Sequence, residues 1–163
     1  MDAVAAGPNS GARLLSRDDV EQVVAIDRAH TGLSRRRFFD KRFAAANAHP
    51  DDFIHIGVMR GGSLRGFAMA RIVRGEFGRQ DAVAVLDALG VQPESQERGV
   101  GQALMDELVR VMRGMGLLSL QSQAEWKNHD LVRFFDASGF RLAPRLVLER
   151  AVAELLDEPA VED

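Results

Sequence analysis

The chain has 163 residues, 46% of them hydrophobic and 28% charged, and a formal net charge of −3. This is the size and make-up of one globular domain with a single core, and the small negative charge excludes any general attraction to nucleic acid. The lack of cysteine removes disulfides, thiolate metal sites and a thiol nucleophile, and no apolar run approaches the roughly 20 residues that span a bilayer.

In chain order, residues 1–11 are small and Ala/Gly-rich, without the basic start or apolar stretch of a secretory signal, and are expected to form a loose arm. A cytoplasmic location is the expectation. Arg13-Leu-Leu15 reads as a short strand. Ser16 is placed as a cap for a helix carrying Asp18, Asp19 and Glu21 in its first turn, with Val20, Val23 and Val24 inward, ending near Gly32. Ser34 opens a second helix to about Ala48, with Phe38, Phe39 and Phe43 on its apolar side, and Pro50 closes it. Phe53 to Met59, the turn Gly61-Gly62 and Leu64 to Val73 predict a hairpin. After a loop over 75–80, Val83 to Val91 has the composition and length of a strand. Leu104, Met105, Leu108, Val111, Met112 and Met115 recur at spacings of 3 and 4, one face of a helix.

Leu117 to Gln123 reads as a further strand. Asn128 is a good N-cap for a helix with Leu131, Phe134 and Phe135 as its stripe, and Gly139 is a natural stop. Arg145-Leu-Val-Leu-Glu-Arg150 reads as the last strand. Residues 153–163 form an acidic tail. The order is thus β-α-α-β-β-β-α-β-α-β-β, an α/β domain over residues 12–152.

The richest stretch joins the strand ending at Val91 to the following helix through Gln96-Glu-Arg-Gly99-Val-Gly101. A helix start presents amides without intrahelical partners together with partial positive charge, and glycines let a ligand approach the backbone. Such a turn suits phosphate or pyrophosphate. A P-loop needs Gly-Lys-Ser/Thr here, but Gln102 and Ala103 follow Gly101. A dinucleotide fingerprint needs a third glycine where Leu104 stands. What remains is Gln/Arg-x-x-Gly-x-Gly/Ala, preceded by Val91-x-Pro93. It resembles the acetyl-CoA signature of the GCN5-related N-acetyltransferases (GNAT), with Gln96, Gly99 and Gly101 matching. The block Asn128 to Phe140 resembles that family's later motif, Asn-x-x-Ala-x-x-Leu-Tyr-x-x-x-Gly-Phe. The likeness runs from about Val83 to Arg150.

The resemblance implies a mixed central sheet flanked by helices, with acetyl-CoA as co-substrate where the fourth and fifth strands splay. Backbone amides of Arg98, Gly99, Val100, Gly101, Gln102 and Ala103 would then meet the pyrophosphate. Leu89, Gly90 and Val91 would pair with the pantetheine arm, one N–H polarising the thioester carbonyl. Asn128 and Phe135 would face its thiol end. Many family members carry a base, Glu, on the fourth strand; the matching position here is Val85, and Asp87 lies two residues on and so on the same face. Asp87 is read either as that base, its pKa raised by burial, or as a structural hydrogen-bonding group. The family's usual acid for the departing thiolate is a Tyr where this chain has Phe135, and the chain has no Tyr at all.

Arg35, Arg36, Arg37, Lys41 and Arg42 make a basic cluster on the second helix, read as a solvated face or as a feature favouring an acidic acceptor. The histidines show no metal-ligand spacing. Trp126 is read as a loop anchor or as part of the acceptor pocket. The implied activity is transfer of an acetyl group to a primary amine of a small molecule, peptide or protein, with a homodimer allowed. The competing readings are a non-catalytic acyl-CoA-binding module and an interaction domain that has lost CoA.

Overall fold

The computed structural model describes residues 11–153. Most of the expected arm (1–11) and acidic tail (153–163) lies outside the described residues. The elements are β1 (Ala12–Leu14), α1 (Val20–Thr31), α2 (Arg36–Ala48), β2 (Phe53–Arg60), β3 (Ser63–Val73), β4 (Val83–Val91), α3 (Val100–Gly114), β5 (Leu120–Gln121) and α4 (His129–Ala137). The strands form one mixed sheet in sequence order; β1 to β4 are antiparallel to their neighbours, and β5 is parallel to β4.

Strand alternation sends alternate side chains to opposite faces, and the core divides accordingly. Ile54, Ile56, Val58, Ala68, Ala70, Ile72, Ala84 and Leu86 pack with Val100, Leu104, Leu108 and Met112 of α3. On the other face, Leu64, Phe67, Met69 and Ala88 pack with Val23 and Ile26 of α1 and Phe39 and Phe43 of α2. The predicted sandwich is therefore present, with α3 and α4 on one side and α1 and α2 on the other.

The caps explain the helix limits. Ser16 caps a single 3₁₀ turn that runs into α1, and its reciprocal partner Asp19 accepts from the Ser16 amide (2.8 Å) and from Arg13 (2.7 and 2.9 Å). Gly32 ends α1 in the left-handed region at φ +72°, where the lack of a Cβ removes the strain. Asn128 caps α4 by accepting from the Leu131 amide at 3.2 Å, as its sequence position predicts.

Two expectations need correction. The strand foreseen over Leu117–Gln123 is only two residues long, and residues 145–150 form no strand. Leu146, Val147 and Leu148 are exposed. A strand persists only beside a partner ladder. Here β5 contributes two paired positions, Leu120 to Ala84 and Gln121 to Val85, too few to extend the sheet.

Helix α3 lies close on β3 because Gly66 has no side chain. A Cβ there would stand 2.7 Å from Val100 Cγ1 and 3.1 Å from both Leu104 Cδ1 and the Gly90 carbonyl oxygen. Gly66→Ala is expected to cost about 1–3 kcal/mol by overpacking, read as a lower urea midpoint at unchanged m-value. An unchanged midpoint would show that α3 shifts freely on the sheet.

Candidate active site

The site begins with an irregularity in β4. Met69 pairs with Ala88 and Ala70 with Leu86, so Asp87 faces no residue of β3. A bulge of this kind adds one residue to one strand and bends it. Leu86 then faces α3 while Ala88 faces α1 and α2, and Asp87 also lies on the latter side, against Arg42 of α2 and Arg71 of β3. Pairing to β5 stops at the same point: Val85 is the last laddered residue, and the Ser122 hydroxyl donates to the Leu86 carbonyl at 2.8 Å.

Beyond the bulge the outer edge of β4 has no neighbouring strand among the described residues. The Gln92 amide donates to Arg65 O across β3, so alternation directs Gly90 inward to β3 and Leu89 and Val91 outward. A ring nitrogen of His30 meets the Val91 carbonyl. Gly90, expected to pair with a ligand, therefore serves differently. A Cβ there would come 2.7 Å from Phe67 and 3.1 Å from Ile26, and its absence lets α1 close against the strand.

The glycine turn follows. Gly99 has φ +78° and is the N-cap of α3, whose first turn carries no acidic residue. The Ala103 amide already donates to the Gly99 carbonyl at 3.0 Å, so Ala103 is withdrawn from the expected set of anion-binding amides. Those of Val100, Gly101 and Gln102 precede the first intrahelical bond. Val100 is buried on the sheet and fixes the start of the helix. Arg98 holds its carbonyl toward Arg60 (3.0 Å), and Glu97 sits at φ +61°, a conformation unusual for a residue with a side chain. Gln96 closes the short turn after Pro93, its amide 3.4 Å from the Pro93 carbonyl. Gly101 has a reason that the motif does not supply: a Cβ would lie 2.7 Å from the Phe134 ring of α4. Phe135 meets Phe140 with ring centroids 4.6 Å apart and planes tilted by 43°, and packs on the α3 side of the core. Asn128 has committed its side-chain oxygen to the cap, leaving its NH2 to donate.

The face bearing Asp87 is dominated by guanidinium groups. Arg42 lies 2.8 Å and Arg71 3.4 Å from Asp87 Oδ2. Arg35 pairs with the buried Asp27. The guanidinium carbons of Arg35 and Arg42 both lie over the Phe38 ring, 5.2 and 5.1 Å from its centroid, an attractive arrangement of cation and ring face. Burial raises the Asp87 pKa above the ordinary carboxylate value, against the lowering pull of Arg42, Arg71 and Arg35. Arg71 and His30 escaped the sequence reading. Arg71 had a signal, as a charge among Ala68, Ala70 and Ile72, facing the equally isolated Asp87. Of the basic cluster, Arg36 is occupied by Glu21 and Asp40. Trp126 is exposed between β5 and α4.

The chain matches the family model described as the acetyltransferase (GNAT) family over residues 21–140. It belongs to that family. A curated relative, the mycothiol acetyltransferase of Propionibacterium freudenreichii subsp. shermanii, is 28% identical over 131 residues, 76% of this chain and 40% of that protein. The chain thus spans well under half the length of this relative. Among solved structures, the aminoglycoside acetyltransferase AAC(6')-Iy with a bisubstrate analog matches at TM-score 0.73 and 19% identity, over 87% of this chain and 97% of that one. A transcriptional regulator from Bacillus halodurans C-125 matches at 0.72 and 17%, over 86% and 97%. An aminoglycoside acetyltransferase from an uncultured soil metagenomic sample, in complex with sisomicin, matches at 0.69 and 12%, over 88% and 95%. These likenesses establish the shared fold.

His55 borders the same face, buried between the rings of Phe43 and Phe53. Burial, assisted by Arg42, lowers its pKa from 6.5 to about 4. The native state therefore keeps His55 neutral where the unfolded chain takes up a proton. Its contribution to stability is complete above pH 6.5 and is lost as pH falls toward 4, on the order of 3 kcal/mol in all. Denaturant titrations at pH 7 and pH 4.5 are expected to show a smaller acid loss in His55→Gln than in the wild type. Equal losses would assign the acid sensitivity to other groups.

Proposed function

We propose that this chain is an acetyl-CoA-dependent N-acetyltransferase acting on a primary amine of a small molecule. The observation that carries the reading is the adjacency of two open backbone surfaces: the outer edge of β4 beyond Asp87, and the first-turn amides of α3 behind Gly99. A strand edge accepts an amide-bearing arm as it would another strand, and the helix start accepts a pyrophosphate. The acetyltransferases of mycothiol and of aminoglycosides among its relatives support a small-molecule acceptor.

Acetyl-CoA supplies an activated acetyl thioester, and the chain's own groups do the rest. Val100, Gly101 and Gln102 bind the pyrophosphate, Gln96 and Arg98 frame the turn, and Leu89 and the Val91 N–H hold the arm. The Leu89 N–H faces the charge that develops on the carbonyl oxygen, where a fixed donor contributes most. Asp87 lies two residues away, about 6.5 Å along the strand, and takes a proton from the arriving ammonium so that the free amine can attack. As the new C–N bond forms, the C–S bond breaks, the electron pair leaves with sulfur, and the proton that the nitrogen then sheds passes to the thiolate or to solvent. A thiol pKa near 8.5 makes that departure feasible without an acid, which suits a chain with Phe135 in place of the hydroxyl-bearing residue.

Calorimetry is expected to show acetyl-CoA binding that Gly99→Val weakens, since a β-branched residue is strained at φ +78° and the amides behind it turn away. No heat with the wild type would overturn the assignment. Asp87→Asn is expected to lower kcat about a hundredfold or more with little change in acetyl-CoA affinity; full kcat across pH would remove Asp87 as the base. Thiol release in an amine screen separates this enzyme from a module that only binds acyl-CoA.

The reading includes self-association. Leu146, Val147 and Leu148 stand exposed in a segment of strand-like composition, and unpaired apolar segments of this kind attract a second chain. Sedimentation is expected to give a dimer that Val147→Lys weakens; a monomer at all concentrations would reject it.

A further inference from the structure

Arg42 and Asp87 are in contact, yet neither is satisfied. The Arg42 Nε and the Asp87 Oδ2 are both buried atoms without a hydrogen-bond partner. The 2.8 Å approach of Arg42 to Asp87 Oδ2 is thus one of charge, off the line of a hydrogen bond. Buried polar groups are rarely left in this state. Here one orphaned donor and one orphaned acceptor lie side by side, on the face of β4 that an acceptor amine must cross to reach Leu89.

The local charge sharpens the point. Arg35 and Asp27 neutralise one another. Arg42 and Arg71 share the single carboxylate of Asp87, leaving an excess of one positive charge. The stack of Arg35, Phe38 and Arg42 holds Arg42 in place before any ligand arrives. These guanidiniums remain within reach, with Arg42 and Arg71 side chains 28% and 39% exposed.

Resting on the acetyltransferase reading above, we propose that the acceptor is a primary amine that also carries an oxyanion, a carboxylate or a phosphate. The oxyanion takes the exposed guanidinium donors of Arg42 and Arg71, while the ammonium approaches the exposed side of the Asp87 carboxylate. Guanidinium presents a planar fork matched to such an anion. The ammonium gives one proton to Asp87, the nitrogen forms its bond to the acetyl carbon, and the C–S bond breaks with its electron pair leaving on sulfur, while the second proton shed by the nitrogen passes to the departing thiolate or to solvent. A polycation meets the same two arginines as like charges and is disfavoured.

The experiment measures kcat/KM with acetyl-CoA for matched acceptors: glycine, β-alanine and γ-aminobutyrate against their amides, 2-aminoethyl phosphate against ethanolamine, and sisomicin as the polycation. At least one anionic member is expected to exceed its neutral partner by about tenfold or more, the worth of a hydrogen bond to a charged group. Whether the amino acids or the phosphate lead identifies the oxyanion. Arg42→Gln and Arg71→Gln are expected to collapse that ratio through KM, with acetyl-CoA affinity unchanged by calorimetry. Arg42→Lys keeps the charge without the fork and is expected to retain part of the ratio. Preference for sisomicin or a neutral amine, or an undiminished ratio in the Arg42→Gln, Arg71→Gln double variant, overturns the proposal while leaving the transferase reading intact. If acetyl-CoA binds and no amine turns over, calorimetry of the same pairs with the CoA-loaded protein decides: binding of an anionic member over its partner supports it, and equal or absent binding rejects it. Failure of acetyl-CoA to bind overturns both readings.

Discussion

The single extra residue in β4 sets the geometry of everything around it. Ala84 and Val85 have a paired strand on either side, whereas the residues after Asp87 keep β3 and lose β5. Backbone polar groups that a sheet would ordinarily consume are thereby left without a strand partner. The same insertion puts Asp87 and Ala88 on one face, so that a carboxylate emerges beside the opening. Helix α3 then starts a short turn beyond the strand end, with the amides before Ala103 free of intrahelical partners. Gly66, Gly90 and Gly101 let the helices and β4 close around it without a Cβ intervening.

Electrostatically the site is a carboxylate held among arginines. Burial acts on Asp87 more strongly than its cationic neighbours do, because a desolvated carboxylate loses more hydration than partly exposed guanidiniums restore. The outcome is a group whose affinity for protons is greater than that of a surface Asp. Aromatic rings contribute by placing the charges: Phe38 stacks on two arginines, and Phe43 and Phe53 enclose a neutral His55.

Much of this was legible in the chain because local rules and tertiary packing agree. Gly32, Gly61, Gly62 and Gly99 have positive φ, and each stands where a turn or helix end was read. The apolar period of α3 matches its packed face from Leu104 to Met112, while Met115 is exposed, and in α4 it is Phe134 and Phe135 that pack on the core. The bulge was not legible, since it depends on how β3 and β4 align, and no residue type marks it. For the same reason Gly90 was given a ligand's role rather than a neighbouring helix's, and Arg71 was passed over as one charge in an apolar strand. Gly101 fitted the phosphate motif, but its immediate physical constraint is Phe134, 33 residues away in the chain. The last strand failed differently: residues 145–150 have the composition of a strand and lack the partner that makes one.

Trp126 lies in the loop between β5 and α4, almost wholly exposed, and the chain has one Trp and no Tyr. Its near-ultraviolet emission therefore originates in a single indole on a single loop. An ordered ligand or a neighbouring chain that covers this loop changes the polarity around that indole and shifts its spectrum. The protein thus carries its own optical reporter on the loop between β5 and α4, with no background from other fluorophores of comparable strength.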